Sequence, residues 1–515
     1  MTIGDETILK LFDLVLMLSK ETAIKAHEYI ETHTRIVGYS KYPMKNNVFS
    51  KDEPEFLECR LKIPFLLYEI PKYELKEFPK DRIQYGAIFD GYAEDRINVT
   101  TLEGYDELYD YINNNPELKS KMIEEDKPDS LKFRIKNMVS GIVERYMYDI
   151  NATRTVPEDF EDKLRTFVKE KILRYIEPTL NIDIYVPICL ATFENEIIKL
   201  SEQIEIIRIP DDIQKSRQQA CSYEANKEDY VAACATHMIV LHNYHFVNEK
   251  YISISDATRN YHAYPLHVID NIMAVIRVVT GYQIGYEQIL ASPLNWIDGF
   301  CADLKPLYGA KSQFVNAKEI DKMWMLLTVN KVSQIQEYEI RKIYDIVQSC
   351  ENDNKKGNIS FALKRLNRCM LRDENDDMAI DATIGLEALL AGGTKGEITY
   401  TISNRIPVVF THVRNEFYTP KSSRSIMKKI YNYRSKTVHG EKIKEKDMYH
   451  EINGTKVEIE KIAVDFLRYT LLFVLHNPEY LDAKKFDEFI DFTVSQGNLC
   501  NASGNQNYEN SVSKC

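Results

Sequence analysis

The chain has 515 residues, is 44% apolar and carries a formal net charge of -12. This length exceeds what one hydrophobic core usually serves, so we expect two or three globular domains. No segment approaches the roughly 20 apolar residues of a membrane span, and the N-terminus lacks a basic region followed by an apolar run. These features argue against membrane and secreted classes, and they predict a cytoplasmic protein with no membrane partner.

The first third of the chain changes from helical to strand-like patterns and back. Apolar residues at helical spacing over 5–31 predict an opening helix. Between 35 and 100, the segments 56–63 and 85–89 show the alternation, or the flanking turn residues, that are typical of strands. Helical spacing returns over 102–178, so a helical layer is expected there.

The middle of the chain is also mixed. The segments 181–188 and 204–209 alternate between apolar and polar residues, which predicts two strands of one sheet. Long helical patterns follow over 214–350. We therefore predict a mixed α/β region over 1–330, with a break into two subdomains near 180–215.

The last third of the chain is predicted to be helical throughout. The expected helices cover 332–350, 358–371, 375–391, 397–414, 421–438 and 455–476. Short links between successive helices predict an antiparallel all-α bundle over 331–490. The final segment, 491–515, is rich in Asn, Ser and Gly and is expected to be disordered. The whole chain is thus predicted to be α+β and mainly α.

An arginine and a histidine, Arg434 and His439, stand five residues apart at the end of one predicted helix. An imidazole ordinarily titrates near neutral pH, and a guanidinium binds phosphate through a planar fork of donors. Both residues lie in a basic island, defined as residues 414–446, where ten Lys or Arg minus three acidic residues leave a local charge of +7. Such a patch can bind an anionic polymer on an acidic protein, although a charge run taken alone is more often a solvated helix face.

Helix geometry sets a condition on this pair. Positions five apart lie about 140° apart around a helix, so the two side chains do not stack on one face. They converge if His439 lies at the helix end and Gly440 forms a left-handed cap. The same helix of a second copy can then complete the groove, which favours a homodimer with a composite site.

Three separated segments carry a family resemblance. They are 377–390 (DMAIDATIGLEALL), 397–405 (EITYTISNR) and 431–440 (YNYRSKTVHG). In this order they resemble the Apea-like branch of the HEPN superfamily. The resemblance implies a helical, dimerising domain that needs no cofactor and cleaves RNA without a metal, often in bacterial defence against phage. It also implies RNA, with transfer RNA as one candidate, as the partner, and a phage-derived trigger sensed by 1–330.

The resemblance assigns roles by matching positions. Arg434 and His439 correspond to the catalytic pair, and Ser435 to the polar residue after the arginine. Glu387 is implied to orient the site, and Arg405 to support it. The lysines of the basic island that we expect to contact RNA are Lys428, Lys429, Lys436 and Lys442.

Two rival sites remain open. Arg405 and His412 are seven residues apart, almost on one helical face, but Pro407 between them is expected to disturb a helix. A second rival is a zinc site, which has the ligand types Cys234, His237, His242 and His245. The apolar run 237–242 is helix-like, however, and favours core residues over metal ligands.

A different class of function also remains open. The bundle can serve as a non-catalytic scaffold that dimerises and binds nucleotide or RNA. Loss of RNA cleavage on changing Arg434 or His439 separates an enzyme from such a scaffold.

Overall fold

The computed structural model describes residues 4–32, 85–90, 96–124, 127, 130–152, 155–220, 235–300, 302–316, 318–319, 330–351, 357–372, 374–392, 397–413 and 415–495. Within these residues it contains seventeen α-helices and ten strands, which confirms the predicted α+β, mainly α class. None of the helices described is long and apolar enough to cross a membrane.

The chain forms two compact units that are discontinuous in sequence. The first unit comprises Met1–Cys189, Ser201–Tyr264 and Tyr286–Gln313. The second unit comprises Leu190–Leu200, Pro265–Gly285 and Phe314–Cys515. A division at a single point near residue 330 therefore leaves out two earlier segments that belong to the second unit.

The first unit begins with a helical layer. Its helices are α1 (Asp5–Thr32), α2 (Ala87–Asp90), α3 (Tyr105–Asn113), α4 (Pro116–Met122), α5 (Ser130–Asp149) and α6 (Phe160–Ile176). Apolar side chains such as Leu11, Val15 and Leu18 are completely buried in the core that these helices share. The predicted opening helix is confirmed, and the predicted strand at 85–89 is wrong, because this segment forms a turn followed by α2. The predicted strand at 56–63 lies outside the described residues.

A sheet completes the first unit. The strands of this sheet that belong to the first unit are β1 (Thr179–Pro187), β4 (Ile204–Arg208), β5 (His237–Val247), β6 (Tyr286–Pro293) and β7 (Tyr308–Phe314), in the order β4-β5-β1-β6-β7. β1 lies antiparallel to both β5 and β6. The two predicted strands thus share one sheet, with β5 between them.

The helical prediction over 214–350 is wrong for this sheet, because β5, β6 and β7 fall within it. Two helices accompany the strands, α7 (Asp211–Ala220) and α8 (Ile254–Arg259). Ile213 of α7 packs with Met238 and Leu290 in a small core against the sheet. An apolar run is compatible with either a buried helix or a buried strand, which is why periodicity misassigned this region.

The second unit is mainly a bundle of helices. They are α9 (Leu266–Thr280), α10 (Gln334–Glu351), α11 (Gly357–Leu371), α12 (Asn375–Leu390), α13 (Ile398–His412), α14 (Pro420–Val438), α15 (Glu445–Met448), α16 (Ile459–His476) and α17 (Ala483–Ser495). The short strands are β2 (Ala191–Phe193), β3 (Ile197–Lys199), β8 (Asn330–Val332), β9 (Tyr449–Ile452) and β10 (Thr455–Glu458).

Two predictions for this unit need correction. The bundle is not all-α, because β9 and β10 form an antiparallel hairpin where the helix 455–476 was expected to begin. The hairpin turns at Asn453 and Gly454, whose positive φ angles of 48° and 80° suit the tight turn that Asn-Gly favours. The predicted disordered segment 491–515 is also too long, because α17 continues to Ser495.

Close packing fixes the helix that carries the first motif of the family resemblance. A Cβ atom added at Gly385 of α12 would lie 2.8 Å from both terminal methyl groups of Leu467 on α16. Asp381, one turn earlier, accepts a 2.6 Å hydrogen bond from Arg365 of α11. The small residue and the buried carboxylate therefore hold α12 against its two neighbours.

Candidate active site

The helix α14 is anchored firmly at its beginning. Thr419 and Ser422 form a capping box, in which the Ser422 amide donates to Thr419 Oγ1 at 3.1 Å and the Thr419 amide donates to Ser422 Oγ at 2.9 Å. Pro420 occupies the first turn, where its missing N–H costs nothing. Ile426 and Ile430 are buried on the inner face, so the helix axis is fixed up to its last turns.

The end of α14 is closed by a glycine cap. Gly440 has a φ of 66°, and its amide donates to the Thr437 carbonyl at 3.1 Å. The Glu441 amide donates to the Lys436 carbonyl at 2.9 Å, which completes the paired bonds of a Schellman motif. This confirms the predicted left-handed cap, and it leaves the His439 side chain exposed immediately after the last helical residue.

Arg434 lies one turn before this cap and keeps unused donors. Its side chain is half-buried, and its Nε atom is buried without a hydrogen-bond partner. Thr437 Oγ1, three residues further along the same face, is also buried and unpartnered. Among the described residues, no carboxylate forms an ion pair with Arg434, and no hydrogen bond joins it to His439. Because the side chain is only half-buried and its terminal nitrogen atoms make no hydrogen bond to any described residue, the guanidinium is suited to an anion from outside the chain.

Glu387 contacts the site through a tyrosine. Tyr431 Oη donates a hydrogen bond to Glu387 Oε1 at 3.1 Å, and Glu387 is half-buried on α12. Burial and, secondarily, the Glu387 carboxylate raise the pKa of Tyr431 well above its usual range, while Arg434 opposes the shift. Tyr431 was not predicted as a site residue, although its place one turn before Arg434 was visible in the sequence.

Arg405 was expected to support the site, but the structure uses it elsewhere. Its guanidinium is 5% exposed and forms a two-pronged ion pair with Asp487 of α17, at 3.0 and 2.7 Å. Its third donor binds the Leu390 carbonyl at the end of α12, at 2.7 Å. None of these contacts supports Arg434. Arg405 ties three helices of the bundle together.

The two residues of the rival pair, Arg405 and His412, each make contacts with other parts of the bundle. The helix α13 runs through Pro407, contrary to the expected disturbance. His412 Nδ1 lies 2.9 Å from the Val408 carbonyl, and its ring lies 5.2 Å from that of Phe473. His412 is exposed, but its Nδ1 lies within hydrogen-bond distance of a carbonyl of its own helix, and Arg405 is engaged by Asp487, so the two residues do not form one open site.

The four predicted RNA-binding lysines divide into two kinds. Lys436 pairs with Asp447 at 2.7 Å, and this hydrogen bond lowers the pKa of Asp447. Lys429 donates to the carbonyl of Tyr449, at the start of β9. Both ammonium groups are therefore already engaged, and they fix the chain that follows Gly440 against α14.

Lys428 and Lys442, by contrast, are exposed and have no partner among the described residues. Ser435 is also exposed, and its carbonyl accepts the His439 amide at 3.1 Å. Lys444 and Lys446 add further exposed positive charge near this end of the helix. The basic island thus retains a solvent-facing cationic surface after its internal pairs are subtracted.

The zinc hypothesis conflicts with the geometry of the first unit. The histidines at 237, 242 and 245 lie on the strand β5, not on a helix. A strand rises about 3.3 Å per residue, so His237 and His242 are roughly 16 Å apart, too far to share one ion. His242 is held by Asp183 at 3.0 Å and lies 3.4 Å from Glu205. Cys234 lies outside the described residues, and within them no group of three candidate ligands could hold a metal.

No family model, curated protein or solved structure matches this chain. The chain's own residues therefore indicate the function: a half-buried arginine without a partner among the described residues and an exposed histidine lie at one capped helix end, beside a cationic surface.

Proposed function

We propose that the second unit is a HEPN-type RNA endonuclease that cleaves without a metal, with Arg434 and His439 as its catalytic residues. The observation that carries this proposal is the end of α14, where the half-buried Arg434 side chain has no partner among the described residues and His439 is exposed. A site for a phosphodiester needs these two properties, an anion-binding fork and a group that transfers protons.

The chemistry follows from the two residue types. His439 removes the proton from a ribose 2'-hydroxyl or delivers one to the leaving 5'-oxygen, and Arg434 stabilises the charge that develops on the phosphorus oxygens. The 2'-oxygen attacks phosphorus and the bond to the 5'-oxygen breaks, giving a 2',3'-cyclic phosphate and a 5'-hydroxyl. The reaction requires the 2'-hydroxyl, so the substrate is RNA and not DNA.

One histidine cannot remove and deliver a proton at the same moment. A second copy of α14 supplies the second imidazole if two chains pair by two-fold symmetry, the commonest form of assembly. We therefore propose a homodimer with a composite site. The exposed side chain of Val438, next to His439, is suited to such a contact.

The cellular role belongs to the same proposal. We place the enzyme in the cytoplasm and in anti-phage defence, with transfer RNA as the first substrate to examine. A nuclease that harms its own cell needs restraint, and the region before the bundle is long enough to sense a phage-derived trigger. This assignment rests on the family resemblance and on the size of that region.

The test is incubation of the purified protein with total cellular RNA and excess chelator, followed by mapping of the RNA ends. We expect cuts that resist the chelator and leave cyclic phosphates with 5'-hydroxyl ends. Cuts that require a metal and leave 5'-phosphates would contradict the mechanism. RNA binding without any cleavage would favour the non-catalytic scaffold.

A further inference from the structure

The first unit contains two buried cations on one face of α6. Lys171 and Arg174 are three residues apart and therefore neighbours on the helix surface. Their exposed fractions are only 7% and 1%. Lysine and arginine are almost never this deeply buried without close partners, because removing a charge from water is costly.

The partners of these cations are incomplete. The nearest carboxylate is Asp298, whose oxygens lie 3.9 Å from Lys171 Nζ and 3.6 Å from Arg174 Nε. Both separations exceed a hydrogen bond. Lys171 Nζ makes no hydrogen bond to any described residue, and Arg174 Nε is buried and unpartnered. Both nitrogen atoms therefore lie close to the same carboxylate, that of Asp298.

Both terminal nitrogen atoms of Arg174 make one hydrogen bond each. Its Nη1 donates to Asn248 Oδ1 at 3.2 Å and its Nη2 donates to the Ile252 carbonyl at 2.6 Å. Asn248 is itself fixed, since its amide donates to the Arg174 carbonyl at 3.0 Å. The guanidinium is thus held in one orientation with Nε left over, as a preorganised binding group requires.

A third cation gives the cluster an excess of positive charge. Arg134 of α5 donates to Tyr251 Oη at 2.8 Å and lies 5.2 Å from the centre of that ring. It is half-buried, and its charge interacts with those of Asp298 and Lys171. Burial, together with Arg174, Arg134 and Arg145, lowers the pKa of Lys171 to about 8 against the opposing effect of Asp298.

We propose that Arg134, Lys171 and Arg174, which we call the cationic cluster, bind a phosphate group of a small molecule beside Asp298. Three cations and one carboxylate carry a formal charge of +2, and a phosphate monoester carries roughly -1.5 to -2 at neutral pH. Its oxygens can accept from Lys171 Nζ and Arg174 Nε, the two donors that lack acceptors. The ligand is either free phosphate or a phosphate-bearing molecule such as a nucleotide.

The test measures binding of inorganic phosphate and of AMP to the full chain, by calorimetry at matched ionic strength with chloride as the reference. Lys171→Met removes the buried ammonium at similar volume, and Lys169→Met is the matched control, because Lys169 is exposed on the same helix. We expect Lys171→Met to weaken phosphate binding roughly 10- to 100-fold, the value of a charged hydrogen bond. The control should bind as the parent does.

A second variant is expected to strengthen phosphate binding instead of weakening it. Asp298→Asn removes the competing carboxylate and should tighten phosphate binding several-fold, whereas a purely structural role for Asp298 predicts no gain. If Lys171→Met does not fold, Asp298→Asn tests whether the cationic cluster binds phosphate. Tighter binding of AMP than of phosphate assigns a nucleotide, and equal binding assigns free phosphate. The proposal is overturned if the parent binds neither probe, if Lys171→Met binds as well as the control, or if Asp298→Asn binds no better.

Discussion

Two arginines of the second unit show how differently one bundle can use the same residue. Arg405, at the contact of α13 with α17, places all its charged donors on Asp487 and the Leu390 carbonyl. Arg434, near the end of α14, is half-buried and keeps its Nε without an acceptor. A satisfied guanidinium stabilises the fold, and an unsatisfied one is available to a ligand. The comparison separates a structural arginine from a candidate catalytic one, which their similar places in the family resemblance did not do.

The largest effect is expected from removing the catalytic candidates. Arg434→Ala and His439→Ala should each lower RNA cleavage by roughly 10²- to 10⁴-fold, as for other charge-stabilising and proton-transferring groups. Neither side chain has a hydrogen-bond or ion-pair partner among the described residues, so the unfolding free energy should stay within about 0.5 kcal/mol of the parent's. Arg424→Ala is the matched control, because Arg424 is an exposed arginine on the same helix. Full cleavage by both catalytic variants would rule out the proposed nuclease site.

The next effect should appear in stability. Arg405→Ala leaves the Leu390 carbonyl without its donor and removes the pair with the half-exposed Asp487, so we expect a loss of about 2 kcal/mol of unfolding free energy. Chemical denaturation would measure it. Specific cleavage by the remaining folded protein should be unchanged. If Arg405→Ala abolished cleavage and left stability intact, the roles assigned to the two arginines would be reversed.

A smaller effect is expected from the tyrosine between Glu387 and the site. Tyr431→Phe removes the hydrogen bond to Glu387 and should cost about 1 kcal/mol of stability. If Tyr431 also positions α14 near Arg434, cleavage should fall mainly through kcat, with little change in KM. Tyr433→Phe is a useful control, because Tyr433 lies on the other side of α14 and donates a hydrogen bond to Asp376 of α12. Equal kinetic losses in the two variants would argue against a specific role for Tyr431.

The smallest effect concerns an internal ion pair and its dependence on pH. His476 Nε2 lies 2.5 Å from Glu339, and this hydrogen bond lowers the pKa of the carboxyl below its usual 4.5. A lowered carboxyl pKa stabilises the folded chain above pH 4.5, and this stabilisation is lost as the pH falls through the lowered value. The difference in unfolding free energy between the parent and Glu339→Gln should therefore be largest near pH 5 and shrink below about pH 4. It should stay below about 1 kcal/mol, because the pair is partly exposed. A difference that grows on acidification would contradict this account.

The local features of the candidate site were predictable from the sequence. Gly440 follows the last residue of a regular helical pattern, and a left-handed glycine cap depends only on neighbours in the chain. The predicted bounds of the bundle helices are correct to within a few residues, because helix ends also depend mainly on neighbours in the chain. The Asn453-Gly454 hairpin was also visible as a turn signal, but the helical pattern that follows it concealed the two short strands.

The tertiary contacts that distinguish a structural residue from a candidate site residue were not predictable from the sequence. Arg405 finds its partner Asp487 on a helix 82 residues away, and no spacing rule indicates such a pairing. The three histidines of β5 looked helical because their apolar run has no period that separates a buried strand from a helix. The buried Lys171 and Arg174 also depend on a distant carboxylate, Asp298, so the cationic cluster had no signal in the sequence.

The measurement that tests the central proposal most directly uses a short RNA with one established cleavage site, cut in the presence of chelator. A single 2'-deoxy substitution at the nucleotide before that site removes the attacking hydroxyl and leaves the phosphate contacts of Arg434 unchanged. We expect cleavage at this position to disappear while other positions are still cut. Continued cleavage of the substituted position would contradict the assignment of Arg434 and His439 to 2'-hydroxyl chemistry.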